Sequence, residues 1–290
     1  MPDTGYKPIR LSWSRLRVHD ECPAKGDLIA RKLKGPMTDT RNFLHGNVCD
    51  LAMRRFLSLE DPASELGWMT AQVDALFDEW LEIARSSGDG IVRWRSATDQ
   101  AEVREFCREA VTRLEELLVR FVLPFDWSPA WRFNVPVKIH YGRELREITL
   151  TGETDLLVFD KHGRIFIWDL KATKDDSYWR KTLAQLAFYA LAVKLEREEG
   201  IPAEDKRLGR WPFRAGLLQP MCAERYLTFD VMKDSGQAIR EMTGRIERVA
   251  ADIWAGRLDP KPQEFCNRCE VRHACPLFGA GSGGKVRMAA

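Results

Sequence analysis

The change of pattern near Pro124 constrains this chain more than any other feature. Upstream, apolar residues recur at helical spacing, and we expect helices from about Ser12 to Leu33, Thr40 to Leu57, Thr70 to Ala84 and Asp99 to Val122. The last carries Val103, Phe106, Cys107, Ala110, Val111, Leu114, Leu117 and Leu118 on one stripe. Gly35-Pro36 separates the first pair, Ser86-Ser87-Gly88-Asp89-Gly90 ends the third and Pro124 stops the fourth. Downstream, WRFNVPVKIHY, LREITLTGETDLLVFD and RIFIWDLKAT are rich in β-branched and aromatic residues and read as three strands. Lys161-His162-Gly163 makes a hairpin turn between the last two. A helix from Ser177 to about Glu199, closed by Gly200 and Pro202, leads to the strands RAGLLQPM and ERYLTFDV. A final helix from about Lys233 to Trp254 runs into a Pro- and Cys-rich tail, and Gly279 to Ala290 is expected to be disordered. This order predicts one α/β core wrapped by N-terminal helices. We divide it into a helical region (1–125) carrying Cys22 and His45, an α/β core (126–258), a cysteine tail (259–278) packing back on the N-terminal region, and 279–290.

The general composition leaves function open. With 290 residues, 44% hydrophobic and 30% charged, the chain is an ordinary globular one. No apolar run approaches the ~20 residues of a membrane span. The start, MPDTGYKPIRLSWSR, lacks the layout of a secretory leader, so a cytoplasmic protein without membrane partners is expected. The net charge of +2 neither announces nor excludes a nucleic-acid partner, because positive charge can be concentrated locally. Lys161, Arg164, Lys171, Lys174, Arg180 and Lys181 fall close together, with Asp169, Asp175 and Asp176 among them. Such a run fits a solvated face as well as a phosphate-binding one. Seven cysteines in a cytosolic chain point to metal ligation or burial rather than to disulfides.

The sharpest chemistry lies in Gly152-Glu153-Thr154-Asp155 and Asp169-Leu170-Lys171. On paired strands Asp169 and Lys171 project from one face, because strand side chains alternate, and Asp155 on the neighbouring strand can meet them. Two carboxylates buried together are costly without a cation, and a hard divalent ion such as Mg²⁺ prefers oxygen ligands. Lys171 could then orient an attacking water and stabilise charge developing on a phosphate. A bare Asp-x-Lys is common, however, and equally describes acids that end strands beside a surface lysine.

The wider pattern is more specific. Gly152-x-x-Asp155, a hairpin, Asp169-x-Lys171 and then Gln185-Leu186-Ala187-Phe188-Tyr189 resemble the signature of RecB-like nucleases in the PD-(D/E)xK superfamily. That resemblance implies an α/β restriction-endonuclease-like core with a central mixed sheet. It implies a Mg²⁺- or Mn²⁺-dependent exonuclease acting on DNA, with a preference for single strands or ends. It further implies metal ligation by His45, Asp155, Asp169 and the Leu170 carbonyl, with Lys171 assisting water and Gln185 and Tyr189 positioning substrate. Gln185 and Tyr189 do share a helix face at this spacing. Trp168, Tyr178 and Trp179 could stack on bases.

Cys266, Cys269 and Cys275 form a C-x₂-C-x₅-C run followed by Pro276, one ligand short of a four-thiolate site. Cys22 can supply the fourth. Its setting, Ser12-x-Ser14-x-Leu16 … Cys22-Pro23, resembles the opening of RecB-like nucleases that carry a 4Fe–4S cluster, the CRISPR-associated and AddB types among them. Zinc, with four cysteines or with His273 in place of one, is the competing occupant. Cys49, Cys107 and Cys222 are expected to be buried apolar residues. Two other functions remain open at this stage: a non-catalytic DNA-binding subunit of a larger nuclease complex, and a zinc-stabilised RNA-processing factor. Homo-oligomers and partners in recombination or CRISPR adaptation are compatible with the resemblance.

Overall fold

A computed structural model describes residues 9–33, 43–87, 92–162, 164–198, 212–230 and 233–278. The break at Gly35-Pro36, the end of the third helix beyond Ser87, the helix closure at Gly200 and Pro202, and the tail from Gly279 to Ala290 lie outside the described residues. The chain forms an α/β fold in two units. One comprises Met1–Met37, Asn134–Gly152 and Glu241–Ala290, and the other Thr38–Phe133 and Glu153–Arg240. Cys22 falls in the first and His45 in the second.

The second unit is built on a mixed sheet. Its strands are β2 (Asp126–Pro129), β5 (Leu156–Phe159), β6 (Ile165–Leu170), β7 (Pro212–Leu218) and β8 (Tyr226–Asp230), in the spatial order β2-β5-β6-β7-β8. β5 and β6 form an antiparallel hairpin with Leu156 opposite Trp168. At its turn the Asp160 carboxylate accepts the backbone N–H groups of His162 and Arg164, both at 2.8 Å. β7 runs parallel to β6, so the chain must cross over between them. Helix α6 (Trp179–Glu198) makes that crossing and packs on both strands.

Side-chain alternation gives this sheet two different faces. Leu156, Val158, Trp168 and Leu170 join a core filled by helices α3 (Leu44–Leu57), α4 (Trp68–Ser87) and α5 (Ala97–Phe121), with Phe56, Phe77, Met53 and Leu114 at its centre. Ile165, Ile167 and Asp169 take the alternate positions of β6. Trp168 lies so close over β7 that a side chain at Gly216 would meet its ring at 2.5 Å. Only glycine fits there. Glu115 of α5 is buried but accepts the backbone N–H groups of Gly67 and Met69, which ties the start of α4 to α5.

The first unit carries a three-stranded sheet in the order β1 (Ile9–Leu11), β4 (Glu144–Glu153), β3 (Arg132–Tyr141), with β1 parallel to β4. The single helix expected from Ser12 to Leu33 is two, α1 (Trp13–Glu21) and α2 (Pro23–Ala30). Pro23 forces the residue before it out of the helical region, and Cys22 is extended at φ −157°, ψ 109°. Ser12 caps α1 by accepting the Arg15 N–H at 3.3 Å. Helix α7 (Lys233–Trp254) closes the order, and its Arg245 pairs with Asp20 and lies over the Trp13 ring.

LREITLTGETDLLVFD, expected as one strand, is also two. β4 belongs to one sheet and β5 to the other. The change occurs at Thr154-Asp155, whose backbone leaves the ladder to bond Trp131 and Ala130 instead. β1 and β2 are short strands that periodicity did not reveal. No helix among the described residues is long and apolar enough to cross a membrane.

Candidate active site

The switch at Thr154 places Asp155 at the mouth of the hairpin. With Leu156 opposite Trp168, the next step outward on each strand brings Asp155 beside Asp169. The Leu170 N–H donates to Asp155 Oδ2 at 2.7 Å. Burial and then the charge of Asp169 push the Asp155 carboxyl up to about 7, against the pull of Lys171. Asp169 is 1% exposed, and burial likewise raises its pKa against the opposing Lys171 charge. Lys171 is ion-paired with Asp169 Oδ2, and Asp169 Oδ1 is buried with no hydrogen-bond partner. Oδ1 therefore keeps its lone-pair capacity. Burial alone would lower the Lys171 ammonium, but Asp169 and Asp155 outweigh it and hold the ammonium above its usual range.

Asp155, Leu170 and Lys171 line a cavity of about 700 Å³ together with His45, Asp50 and Phe106. His45 enters from the first turn of α3, its ring 4.2 Å from that of Phe106. On α6, Gln185 Nε2 donates to the Tyr189 hydroxyl at 2.8 Å. Burial, followed by the Asp169 charge, pushes that phenol well above its ordinary range.

The family model of the PD-(D/E)XK nuclease superfamily matches residues 10–276. The chain belongs to the PD-(D/E)XK nuclease superfamily. Enzymes of this superfamily are nucleases that usually use Mg²⁺ or Mn²⁺. No curated protein matches the chain. A solved structure titled "Crystal structure of SSO0001" is 14% identical, covering 79% of this chain and 84% of that one with a TM-score of 0.33. A likeness at that level carries no argument.

Sequence reasoning missed one carboxylate of this nuclease. Asp50 of α3 lines the cavity, and its Oδ1 is buried without a hydrogen-bond partner. Burial raises its pKa while Arg54 opposes the shift. Arg54 sits 2.8 Å from Asp50 and 2.6 Å from Glu153, which also pairs with Arg132 at 2.6 Å. The available signal was an acid set inside the buried run of Val48, Cys49, Ala52 and Met53. One expectation is corrected. Trp168 cannot stack on a base, because it is 4% exposed within the core over Gly216. Tyr178 and Trp179 remain half-buried, with Lys181 and Arg180 over their rings.

The cysteines of the first unit share one corner. Cys22 Sγ accepts the Lys261 N–H at 3.4 Å, and Cys266 Sγ accepts the Gln263 N–H at 3.1 Å. Gln263 also donates to the Glu21 carbonyl. Burial raises the Cys275 thiol, and Cys22, Cys269 and Cys266 all add to that rise, as neighbouring thiolates would. All four are half-buried. Cys49, Cys107 and Cys222 are buried in the second unit, as expected. Among the described residues, no three His, Cys, Asp or Glu side chains are gathered closely enough to hold a metal ion. Within each unit, the two carboxylates are neighbours and the four thiols are neighbours, without either set being closed around a centre.

Proposed function

We propose that this nuclease hydrolyses phosphodiester bonds of DNA as an exonuclease of the RecB-like, iron–sulfur branch, with a preference for single strands or ends. The observation that carries the reading is Asp169, buried beside Asp155 with its Oδ1 lacking any hydrogen-bond partner. Such a pair fits a hard divalent cation, which replaces repulsion between carboxylates with attraction. Asp155, Asp169, His45 and the Leu170 carbonyl are the groups that would hold Mg²⁺ or Mn²⁺. When bound, such a cation supplies positive charge where the transition state builds negative charge on phosphate oxygens.

The chain's own residues do the rest. Lys171, kept protonated by the two acids, orients water toward the phosphorus and offsets developing charge. The Leu170 N–H keeps one Asp155 oxygen turned toward the strand, which leaves the other for the cavity. Gln185 and Tyr189, joined by their hydrogen bond, position the substrate from α6. Cys22, Cys266, Cys269 and Cys275 would hold a 4Fe–4S cluster, with zinc as the competing occupant. Their shared corner and the mutual rise at Cys275 support a common ligand.

End-labelled single-stranded DNA, duplex DNA and RNA, each incubated with and without Mg²⁺, test the reading. Cleavage of DNA only with the cation, beginning at ends, is the expected result. Cleavage of RNA alone, or binding of DNA without cleavage, overturns it. Brown protein with about four irons per chain is expected for the cluster. Colourless protein with stoichiometric zinc would replace it.

A further inference from the structure

The cavity that holds Asp155 and Lys171 has an apolar wall that hydrolysis does not use. Phe43, at the N-terminal end of α3, lines it and is 63% exposed. Phe106 of α5 stands in the same wall, half-buried, with the Lys174 ammonium 5.0 Å from its ring centre. A single exposed phenylalanine is ordinary on a protein surface. Phe43 does not stand alone, since it shares a cleft with two half-buried acids, Asp50 and Asp155, and two lysines. An aromatic face beside an ammonium matches one nucleotide: the ring takes the base by stacking, and the cation meets the phosphate. Every base has such a face, so the match does not depend on sequence. In a duplex both faces of a base are covered by its neighbours, and the wall could be filled only after unstacking, which costs free energy.

We propose that Phe43, in the cavity lined also by Phe106 and Lys174, forms a stacking shelf that seats one unpaired base of single-stranded DNA beside Asp155. The inference rests on the hydrolytic reading of Asp155 and Asp169 and adds what selects the substrate. Duplex ends then become substrates only as far as they fray. Phe43 is the residue to change, because its exposure spares the core.

Binding to the full chain carrying Asp169→Asn separates stacking from cleavage. Labelled single-stranded oligothymidine and a blunt DNA hairpin are titrated by fluorescence anisotropy, with thermal melts confirming the fold. Phe43→Ala should weaken single-strand binding between about 5-fold and about 150-fold and leave hairpin binding unchanged. Phe43→Tyr should restore it, and Phe43→Leu, apolar but without a π face, should not. Equal losses on both ligands, no loss on the single strand, full rescue by leucine, or no single-strand binding by the parent each overturn the shelf. Failure of the wild-type chain to cut any substrate with Mg²⁺ would remove the hydrolytic reading instead, while leaving the binding contrast measurable.

Discussion

Asp169 hangs on β6 and Asp155 on the residue that leads into its partner strand β5, whereas Cys266, Cys269 and Cys275 hang on short 3-10 turns and their junctions. The β5–β6 hairpin and the Leu170 N–H hold the carboxylates whether or not a cation is present, and the cost appears as pKa values driven upward by burial. The cysteine corner has little comparable support. Its turns are short, its thiols are half-buried, and among the described side chains of Glu264–Phe278 Val271 is the one buried hydrophobic residue. On the proposed reading, order there comes largely from bonds to the group the thiols would hold. Losing the bound metal should then cost one region its chemistry and the other its fold.

The largest effect expected is on chemistry. Asp155→Asn or Asp169→Asn should lower the cleavage rate by about 10²–10³-fold or more. Asp155→Asn should leave the melting temperature of the metal-free protein unchanged or raised, because it removes one of two mutually repelling buried charges. A clear fall in that temperature, read by circular dichroism, breaks the contrast. Next comes the cysteine corner. Cys22→Ser and Cys266→Ser should each lose bound metal and destabilise the chain by on the order of 3 kcal/mol or more, despite their distance in sequence. Cys49→Ser and Cys222→Ser should keep the metal content, measured by elemental analysis. If Cys22→Ser retains full metal and stability, the fourth ligand lies elsewhere.

Smaller effects sharpen the carboxylate side. His45→Ala should raise the Mg²⁺ concentration for half-maximal cleavage by about 10-fold, and an unchanged titration would return His45 to a packing role on Phe106. The acid pair also predicts a pH dependence. Asp155 is pushed up to about 7 from an ordinary 3.8, so the folded chain holds a proton that the unfolded chain has released between those values. Stability of the metal-free protein must therefore fall as pH rises from about 4 to about 7 and level off above. Glu196, raised by burial to about 7, adds to the same slope. Mg²⁺ should flatten the Asp155 part only, and Asp155→Asn should abolish the Mg²⁺-sensitive part of the slope in thermal melts. Smallest is Tyr189→Phe. Losing the hydroxyl that accepts from Gln185 should cost about 1 kcal/mol in kcat/KM, a several-fold loss.

Much of this was legible in the sequence. The hairpin, the crossing helix and the final helix follow from periodicity and turn residues. Residues 10–276 match the superfamily whose spacing Gly152-x-x-Asp155 and Asp169-x-Lys171 display. Less legible were interruptions governed by distant partners. Periodicity carries no sign that the strand after Glu144 changes sheets at Thr154, because both halves are equally β-prone and only the bonds to Trp131 and Ala130 make the break. Asp50 was passed over because an acid on a helix is usually solvated, and nothing local announces Arg54 between it and Glu153.

The sequence by itself determined the superfamily and which elements bear its motif residues, since strand alternation and helix spacing are local properties of the backbone. The tertiary structure alone decided the environment of each. It buried Asp169, sealed Trp168 over Gly216 and left Phe43 exposed in the cavity wall beside the acids. Burial and electrostatic coupling are sums over neighbours from remote parts of the chain, and no local pattern encodes them.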